Sequence, residues 1–250
     1  MHQFSGNTIL ELRDVTFSHP DSNGVKTEPA LRKINLSIRE GDSVSFIGPS
    51  GCGKSTLLRL LNRMTDPDDG DILYHDKPLI GQDVLKIRKE ILLVPQETYI
   101  APGTIADNLK IVQSGDNISE ADMLHVLKSV GLDDKPLNLD STRLSVGEKH
   151  RLALARAFLL QPKILLMDEP AASLDLPRAR AVIDTVRELH LKYNNTIIMV
   201  THRFRLARRL SGTVVMLVGG EIVESGDSSD FFNNPETIEA RNFLKDSDED

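Results

Sequence analysis

The fold is decided by a short apolar run that leads directly into a glycine-rich loop, Val44-Ser45-Phe46-Ile47-Gly48-Pro49-Ser50-Gly51-Cys52-Gly53-Lys54-Ser55-Thr56. The loop matches the pattern G-x-x-x-x-G-K-[ST] in full, between a predicted strand and a helix predicted over about residues 54–63. Its glycines let backbone N–H groups converge on a phosphate, and the N-terminus of the following helix adds positive potential. Lys54 can reach the β- and γ-phosphates, and the Ser55 hydroxyl can bind Mg²⁺. We therefore predict that residues 48–56 bind a nucleotide.

A second part of this site is predicted where another buried strand ends, at Ile164-Leu165-Leu166-Met167-Asp168-Glu169. Asp168 is expected to hold Mg²⁺, directly or through water, and Glu169 to polarise the attacking water. The alternative is an acidic pair that only caps the turn before Pro170. No guanine-recognition motif such as Asn-Lys-x-Asp occurs in the sequence, so ATP is favoured as the nucleotide.

Composition limits the classes of function. The chain has 250 residues and a formal net charge of -7, which counts against a non-specific nucleic-acid partner. Its single cysteine, Cys52, excludes an internal disulfide and is interpreted as a variable loop position with no redox role. No signal peptide pattern is recognised in residues 1–12, and the apolar runs are far shorter than the roughly 20 residues of a membrane span.

The order of predicted elements indicates the fold class. Strands predicted over residues 9–17 and 31–38, around a polar loop at 21–28, favour an antiparallel patch at the start of the chain. Strands that alternate with helices in the rest of the chain predict a largely parallel sheet. We therefore predict one α/β domain over residues 1–250 with a P-loop NTPase core of the RecA type. Residues 1–96 and 161–250 are assigned to the core, and about 97–160 to an inserted helical subdomain.

A family resemblance arises from a segment between the two parts of the predicted site, Leu144-Ser145-Val146-Gly147-Glu148, which precedes a basic, alanine-rich helix. It resembles the signature segment of ATP-binding cassette (ABC) proteins, usually Leu-Ser-Gly-Gly-Gln. Further segments resemble other marks of this family in the expected order: Gln96 of the Q-loop, Ser173-Leu174-Asp175 of the D-loop, and His202 of the switch segment. The resemblance extends over about residues 10–226.

The resemblance implies a head-to-tail dimer that encloses two ATP molecules. Ser145, Val146, Gly147 and Glu148 would then face the γ-phosphate of the ATP held by the opposite subunit, and Asp175 would act across the same interface. Gln96 would serve Mg²⁺ together with Ser55 and Asp168, while His202 would contact the γ-phosphate, orient Glu169 and assist Lys54 and Glu169 in catalysis. Simpler interpretations remain for three of these residues: Ser145 and Asp175 as helix N-caps, and His202 as a polar surface residue.

This sequence departs from the family pattern at three positions. Val146 stands where glycine is commoner, and Glu148 where glutamine is commoner, so that the signature segment carries an additional charge. His19 stands where a tyrosine commonly stacks on adenine, and an imidazole stacks less well than a phenol ring. We predict His19 as the adenine contact and Phe17 as a core residue.

The resemblance favours the ATP-hydrolysing subunit of an ABC transporter, which pairs with a second copy or a paralogue and docks on separate membrane subunits through the helical lobe and the Gln96 region. Such a protein would lie at the cytoplasmic face of the membrane. Residues 101–109 resemble exporters and small iron-export cassettes, whereas residues 62–67 and 234–244 resemble phosphate and polar amino-acid importer subunits. The alternative is a soluble single-cassette ATPase similar to iron–sulfur cluster assembly factors. Intact Lys54, Asp168, Glu169 and His202 argue against a degenerate regulator.

Overall fold

The computed structural model describes residues 7–111, 118–172, 174–210 and 212–246. The strands in this part of the chain are β1 (Thr8–Pro20), β2 (Lys26–Arg39), β3 (Ser43–Ile47), β4 (Asp69–Tyr74), β5 (Lys77–Pro78), β6 (Ile91–Val94), β7 (Ile164–Asp168), β8 (Thr196–Val200), β9 (Thr213–Val218) and β10 (Glu221–Asp227). The helices are α1 (Lys54–Leu61), α2 (Val84–Glu90), α3 (Ile105–Lys110), α4 (Glu120–Ser129), α5 (Val146–Leu159), α6 (Leu176–Tyr193), α7 (Phe204–Leu210), α8 (Ser228–Asn233) and α9 (Ile238–Asp246). A short 3₁₀ helix covers Ser141–Arg143.

The larger sheet has six strands in the order β10-β9-β3-β8-β7-β6, with every neighbouring pair parallel except β10 and β9. The predicted α/β core with a largely parallel sheet is therefore confirmed. β3 lies in the interior of the sheet because its apolar residues are buried on both faces. Parallel strands end at one edge of the sheet, so the segments that follow β3, β7 and β8 come close together there.

The smaller sheet is antiparallel, in the order β2-β1-β4-β5, which confirms the predicted patch at the start of the chain. The prediction of a polar loop through residue 28 was wrong at its end, because β2 already begins at Lys26, which pairs with Pro20. The hairpin is extended by backbone pairing of exposed polar residues, and their sequence shows no alternation of apolar and polar side chains that could predict a strand. The turn is closed by the Asp21 carboxylate, which accepts hydrogen bonds from the backbone N–H groups of Asn23 and Val25, both at 2.8 Å. Helix α1 also ends earlier than predicted, at Leu61.

Two apolar cores lie on opposite faces of the larger sheet. Alternate residues of β7 explain the division, since side chains on a strand point to opposite faces. Leu165 and Met167 pack with helices α4, α5 and α6. Ile164 and Leu166 pack with α1 and the antiparallel sheet. The sheet is thus covered on both sides and forms the rigid support of the residues at its edge.

Helices α3, α4 and α5 follow one another between β6 and β7 and pack together, with α5 in contact with the other two. Asn108 of α3 is fully buried and donates hydrogen bonds from its amide to Ala101 O at 2.9 Å and to Ser141 Oγ at 3.2 Å. These bonds tie the segment after β6 to the segment before α5. Among the described residues, none of the helices is both long enough and apolar enough to cross a membrane.

Candidate active site

The glycine-rich loop joins β3 to α1 and needs glycine at two positions for steric reasons. At Gly48, with φ of 140°, a Cβ atom would lie 2.0 Å from the backbone oxygen of Leu217. At Gly53, with φ of 102°, it would lie 2.5 Å from the backbone oxygen of Ala30. Both acceptors belong to the backbone and cannot rotate away. The loop therefore packs directly against the backbone of two neighbouring segments just before α1 begins.

Lys54 lies inside this loop. Its side-chain nitrogen donates hydrogen bonds to the carbonyl oxygens of Gly48 and Pro49, both at 2.8 Å, and the residue is only 8% exposed. The sulfur of Cys52 is 3.5 Å from the same nitrogen, and this cysteine is buried. The ammonium charge is thus held at the centre of the loop, where an anionic ligand of the backbone amides would meet it.

Ser55 and Asp168 meet across the sheet edge, as their place after β3 and at the end of β7 predicted. The Ser55 hydroxyl donates a hydrogen bond to Asp168 Oδ1 at 2.9 Å. Burial raises the pKa of the Asp168 carboxyl, and the hydrogen bond from Ser55 opposes this shift. Gln96 lines the same cavity of about 710 Å³ as these two residues. A hydroxyl, a carboxylate and an amide oxygen form a set of hard oxygen donors that fits Mg²⁺.

Glu169, which follows the cavity-lining Asp168 in the chain, forms a direct pair with His202. Glu169 Oε1 accepts one hydrogen bond from the backbone N–H of His202 at 2.9 Å and lies 2.8 Å from His202 Nδ1. The Glu169 side chain is 12% exposed, whereas that of His202 is 58% exposed. The Glu169 backbone has φ of 51°, a left-handed conformation that is rare outside glycine and that concentrates at functional sites. The carboxylate is therefore fixed in position by the segment that follows β8.

His19 lies on another wall of the same cavity. Its Nε2 atom is 3.0 Å from the Thr56 hydroxyl, and its ring meets the ring of Phe17 edge to face with 5.0 Å between the centroids. Phe17 is buried, as predicted, and also lines the cavity. His19 is exposed and its ring contacts Thr56 at one end, so the ring is accessible to a flat ligand that stacks on it.

The signature-like segment forms the N-terminus of α5. Ser145 is its N-cap: the hydroxyl accepts a hydrogen bond from the Glu148 N–H at 3.3 Å, and Glu148 Oε2 accepts one from the Ser145 N–H at 2.8 Å. Val146 is 71% exposed. A Cβ on Gly147 would lie 2.6 Å from Leu174 Cδ2, so glycine permits close packing there. No hydrogen bond or ion pair among the described residues joins Ser145–Glu148 to the phosphate loop.

Asp175 likewise occupies an N-cap, that of α6, where its carboxylate accepts a hydrogen bond from the Arg178 N–H at 2.9 Å. Ser173, the first residue of the predicted D-loop, lies outside the described residues. The simpler interpretations of Ser145 and Asp175 as caps are thus both realised, and a cap residue at an exposed helix N-terminus can also bind a ligand.

Arg203 was not singled out by sequence reasoning, although it follows His202 directly. Its guanidinium donates hydrogen bonds to the carbonyl oxygens of Leu174 at 2.9 Å and Ala172 at 3.2 Å. The segment after β8 therefore makes two contacts: its His202 bonds to Glu169, and its Arg203 bonds to the segment before α6. The only signal in the sequence was a basic residue after the strand, because backbone acceptors leave no trace in a residue pattern.

Comparison with known proteins identifies similar sequences and structures. The sequence profile of the family described as ABC transporter matches residues 31–172. The chain is 37% identical over 256 residues to the phosphate import ATP-binding protein PstB of Malacoplasma penetrans, and the match covers 96% of this chain and 87% of that protein.

Two solved structures have the same fold. A bacterial Atm1-family ABC exporter with ATP bound superposes with a TM-score of 0.85 at 26% identity, and the match covers 98% of this chain but 43% of the exporter chain. An ATP-binding cassette solved as a dimer in a post-hydrolysis state with ADP and phosphate gives a TM-score of 0.78 at 28% identity. That match covers 88% of this chain and 99% of the cassette.

Proposed function

Because the chain belongs to the ABC transporter family of ATP-binding proteins, we propose that it is the ATP-binding and ATP-hydrolysing subunit of such a transporter. The observation that carries the proposal is the meeting of three segments at one edge of the sheet. The phosphate loop follows β3, Asp168 ends β7 with Glu169 directly after it, and His202 follows β8. The first segment suits binding of phosphates, and the other two supply a carboxylate pair and an imidazole for hydrolysis.

The proposed reaction is attack of water on the γ-phosphorus of ATP, which forms a P–O bond, breaks the bond to the β-phosphate oxygen and releases ADP and phosphate. Glu169 accepts the proton of the attacking water, and its contact with His202 holds the carboxylate in place. Lys54 and the loop amides hold the phosphates and balance their charge. Ser55, Asp168 and Gln96 are the residues proposed to hold Mg²⁺, which neutralises phosphate charge when bound.

We further propose that two copies, or one copy and a paralogue, enclose the nucleotides head to tail. Support comes from the cap of α5 within one chain: Ser145 and Glu148 bond to each other, and among the described residues no hydrogen bond or ion pair joins them to the phosphate loop. The cassette that shares the fold was solved as a dimer with ADP and phosphate. In such a dimer the N-terminus of α5, with Ser145 and Gly147, would meet the γ-phosphate held by the partner subunit. Asp175 would act across the same interface.

The membrane partner is proposed to dock on residues 97–160, the predicted helical subdomain, next to Gln96. Tyr99 lies just after Gln96 and is 72% exposed, which is unusual for a large aromatic side chain. Its carbonyl oxygen accepts a hydrogen bond at 2.6 Å from Arg156 of α5. The backbone that carries the exposed ring is therefore bonded to the helix that begins in the signature-like segment. A subunit of this kind acts at the cytoplasmic face of a membrane. Closing and opening of the dimer would then change the conformation of the membrane subunits.

His19→Ala is expected to weaken ATP binding by about three- to tenfold, the loss that corresponds to one aromatic stacking contact. His19→Tyr is expected to bind ATP at least as tightly as the natural chain, because a phenol ring stacks better. Titration of the protein with a fluorescent ATP analogue measures both dissociation constants.

The matched control is His75→Ala, which removes another exposed histidine, in the turn between β4 and β5 and in ring contact with Tyr74. It is expected to leave the affinity for ATP unchanged. Equal affinity of the His19→Ala and His75→Ala chains would show that His19 does not contact the adenine.

The transporter assignment is tested by affinity purification of the full chain from gently solubilised membranes of the source cell, with partners identified by mass spectrometry. We expect a protein with several membrane spans in stoichiometric amount. Recovery of soluble partners alone, from a preparation in which a known transporter complex survives, would contradict the transporter role and favour the soluble ATPase.

A further inference from the structure

The charge of Glu148 raises a physical problem at the N-terminus of α5. Glutamine is commoner at this position in the family, and Glu148 places a carboxylate where the γ-phosphate of the partner's ATP is proposed to bind. The carboxylate is close to the binding face, since its Oε2 atom accepts the Ser145 N–H at 2.8 Å. Two anions at one helix N-terminus repel each other and compete for the same amides.

Protonation of Glu148 does not remove this repulsion. The hydrogen bond from the Ser145 backbone and the one from Lys135 lower the pKa of Glu148 to about 2. The side chain is therefore a carboxylate at neutral pH and does not imitate the neutral amide of glutamine. The compensation has to come from a neighbouring cation.

Lys135 is placed to supply that cation. It lies in the segment between α4 and the 3₁₀ helix, and its side-chain nitrogen is 3.0 Å from Glu148 Oε1 and 3.1 Å from Asp134 Oδ2. The side chains of Lys135 and Glu148 are 26% and 19% exposed, whereas that of Asp134 is 69% exposed. The pair with Glu148 is thus the better shielded of the two. One carboxylate oxygen of Glu148 serves the helix cap and the other serves Lys135.

We propose that Lys135 is a positioning residue of the ATP-dependent dimer: its ammonium neutralises Glu148 and holds it in the cap of α5, so that the helix N-terminus accepts the γ-phosphate of the partner subunit's ATP. The inference rests on the proposed two-subunit site. In this chain the ion pair of Glu148 and Lys135 would stand where the family usually has a neutral glutamine, and Lys135 lies outside the signature segment.

The test is a double-mutant cycle on the full chain in the Glu169→Gln background, where hydrolysis is suppressed. Light scattering measures the ATP concentration that gives half-maximal dimer. We expect Lys135→Met to raise this concentration about tenfold, the effect of one unpaired charge near a phosphate in a partly solvated site. Added to Glu148→Gln, the same Lys135→Met substitution should change it less than about twofold, because no carboxylate remains to neutralise.

Two further variants separate the charge from the fold. Lys135→Arg should retain most of the effect of Lys135, since it keeps the positive charge. Asp134→Asn, the matched control, removes the other carboxylate beside Lys135 and should leave dimerisation unchanged. Affinity of the monomer for ATP is measured in parallel and should be the same in every variant.

Each outcome decides the question. Dimerisation of the Lys135→Met chain at the parental ATP concentration would overturn the inference and leave the proposed function intact. Equal weakening by Lys135→Met with and without Glu148→Gln would also overturn it, because Lys135 would then only support its loop. Failure of the parental Glu169→Gln chain itself to dimerise with ATP would instead contradict the two-subunit site on which the inference rests.

Discussion

Replacement of Glu169 by glutamine is expected to lower ATP turnover by at least about 100-fold and to leave the affinity for ATP nearly unchanged, as expected on loss of a general base. The structure explains why the two effects separate. Glu169 Oε1 accepts hydrogen bonds from His202, and the amide oxygen of glutamine has the same size and can accept the backbone N–H in the same way. What the substitution removes is the ability to take a proton from water.

Phosphate release under saturating ATP measures the turnover, and titration with a fluorescent nucleotide measures binding. Glu188→Gln is the matched control, because it makes the same chemical change on an exposed position of α6 and should not affect either quantity. Turnover of the Glu169→Gln chain close to that of the natural chain would show that another group accepts the proton. Loss of binding together with turnover would assign Glu169 a role in holding the loop.

The parts of the fold that were predicted correctly are those whose signal is local and apolar. β3 and β7 are continuous buried runs, and a run of this kind has few alternatives to the interior of a parallel sheet. β10 was not predicted, because its side chains are mostly half-exposed and its strand character depends on pairing with β9. α7 was not predicted because Phe204–Leu210 is too short and too rich in arginine to show a helical period.

Some residues of the candidate site could be proposed from the sequence and others could not. Lys54 and Asp168 could each be proposed from the residue spacing within its own motif, because a motif of this kind fixes the conformation of one loop. The partners of Arg203 could not be named, because they are the backbone carbonyls of Ala172 and Leu174. The contact of Lys135 with Glu148 depends on how a turn folds back on the start of α5. Sequence pattern contains the residues of such a contact but not their distance.

Ser145→Arg is expected to leave ATP binding by the single chain intact and to block ATP-dependent dimerisation, raising the ATP concentration it requires by at least about 100-fold. Ser145 is exposed and is the N-cap of α5, and among the described residues it makes no hydrogen bond to the phosphate loop of its own chain. A long guanidinium side chain there occupies the space proposed for the partner's nucleotide and removes the cap hydroxyl. Light scattering in the Glu169→Gln background with ATP and Mg²⁺ measures the dimer.

Loss of the cap alone costs about 0.5–2 kcal/mol, so a control must lose the same cap elsewhere. Ser119 provides it, since it caps α4 with the same reciprocal pair of bonds, made here with Asp122. Ser119→Arg should therefore lower stability to a similar degree in a denaturant titration and still permit the dimer. If both arginine variants dimerise normally, the trans role of the signature segment is wrong. If both fail, the effect belongs to the stability of the helical region, and only failure of Ser145→Arg alone locates the partner's phosphate at the N-terminus of α5.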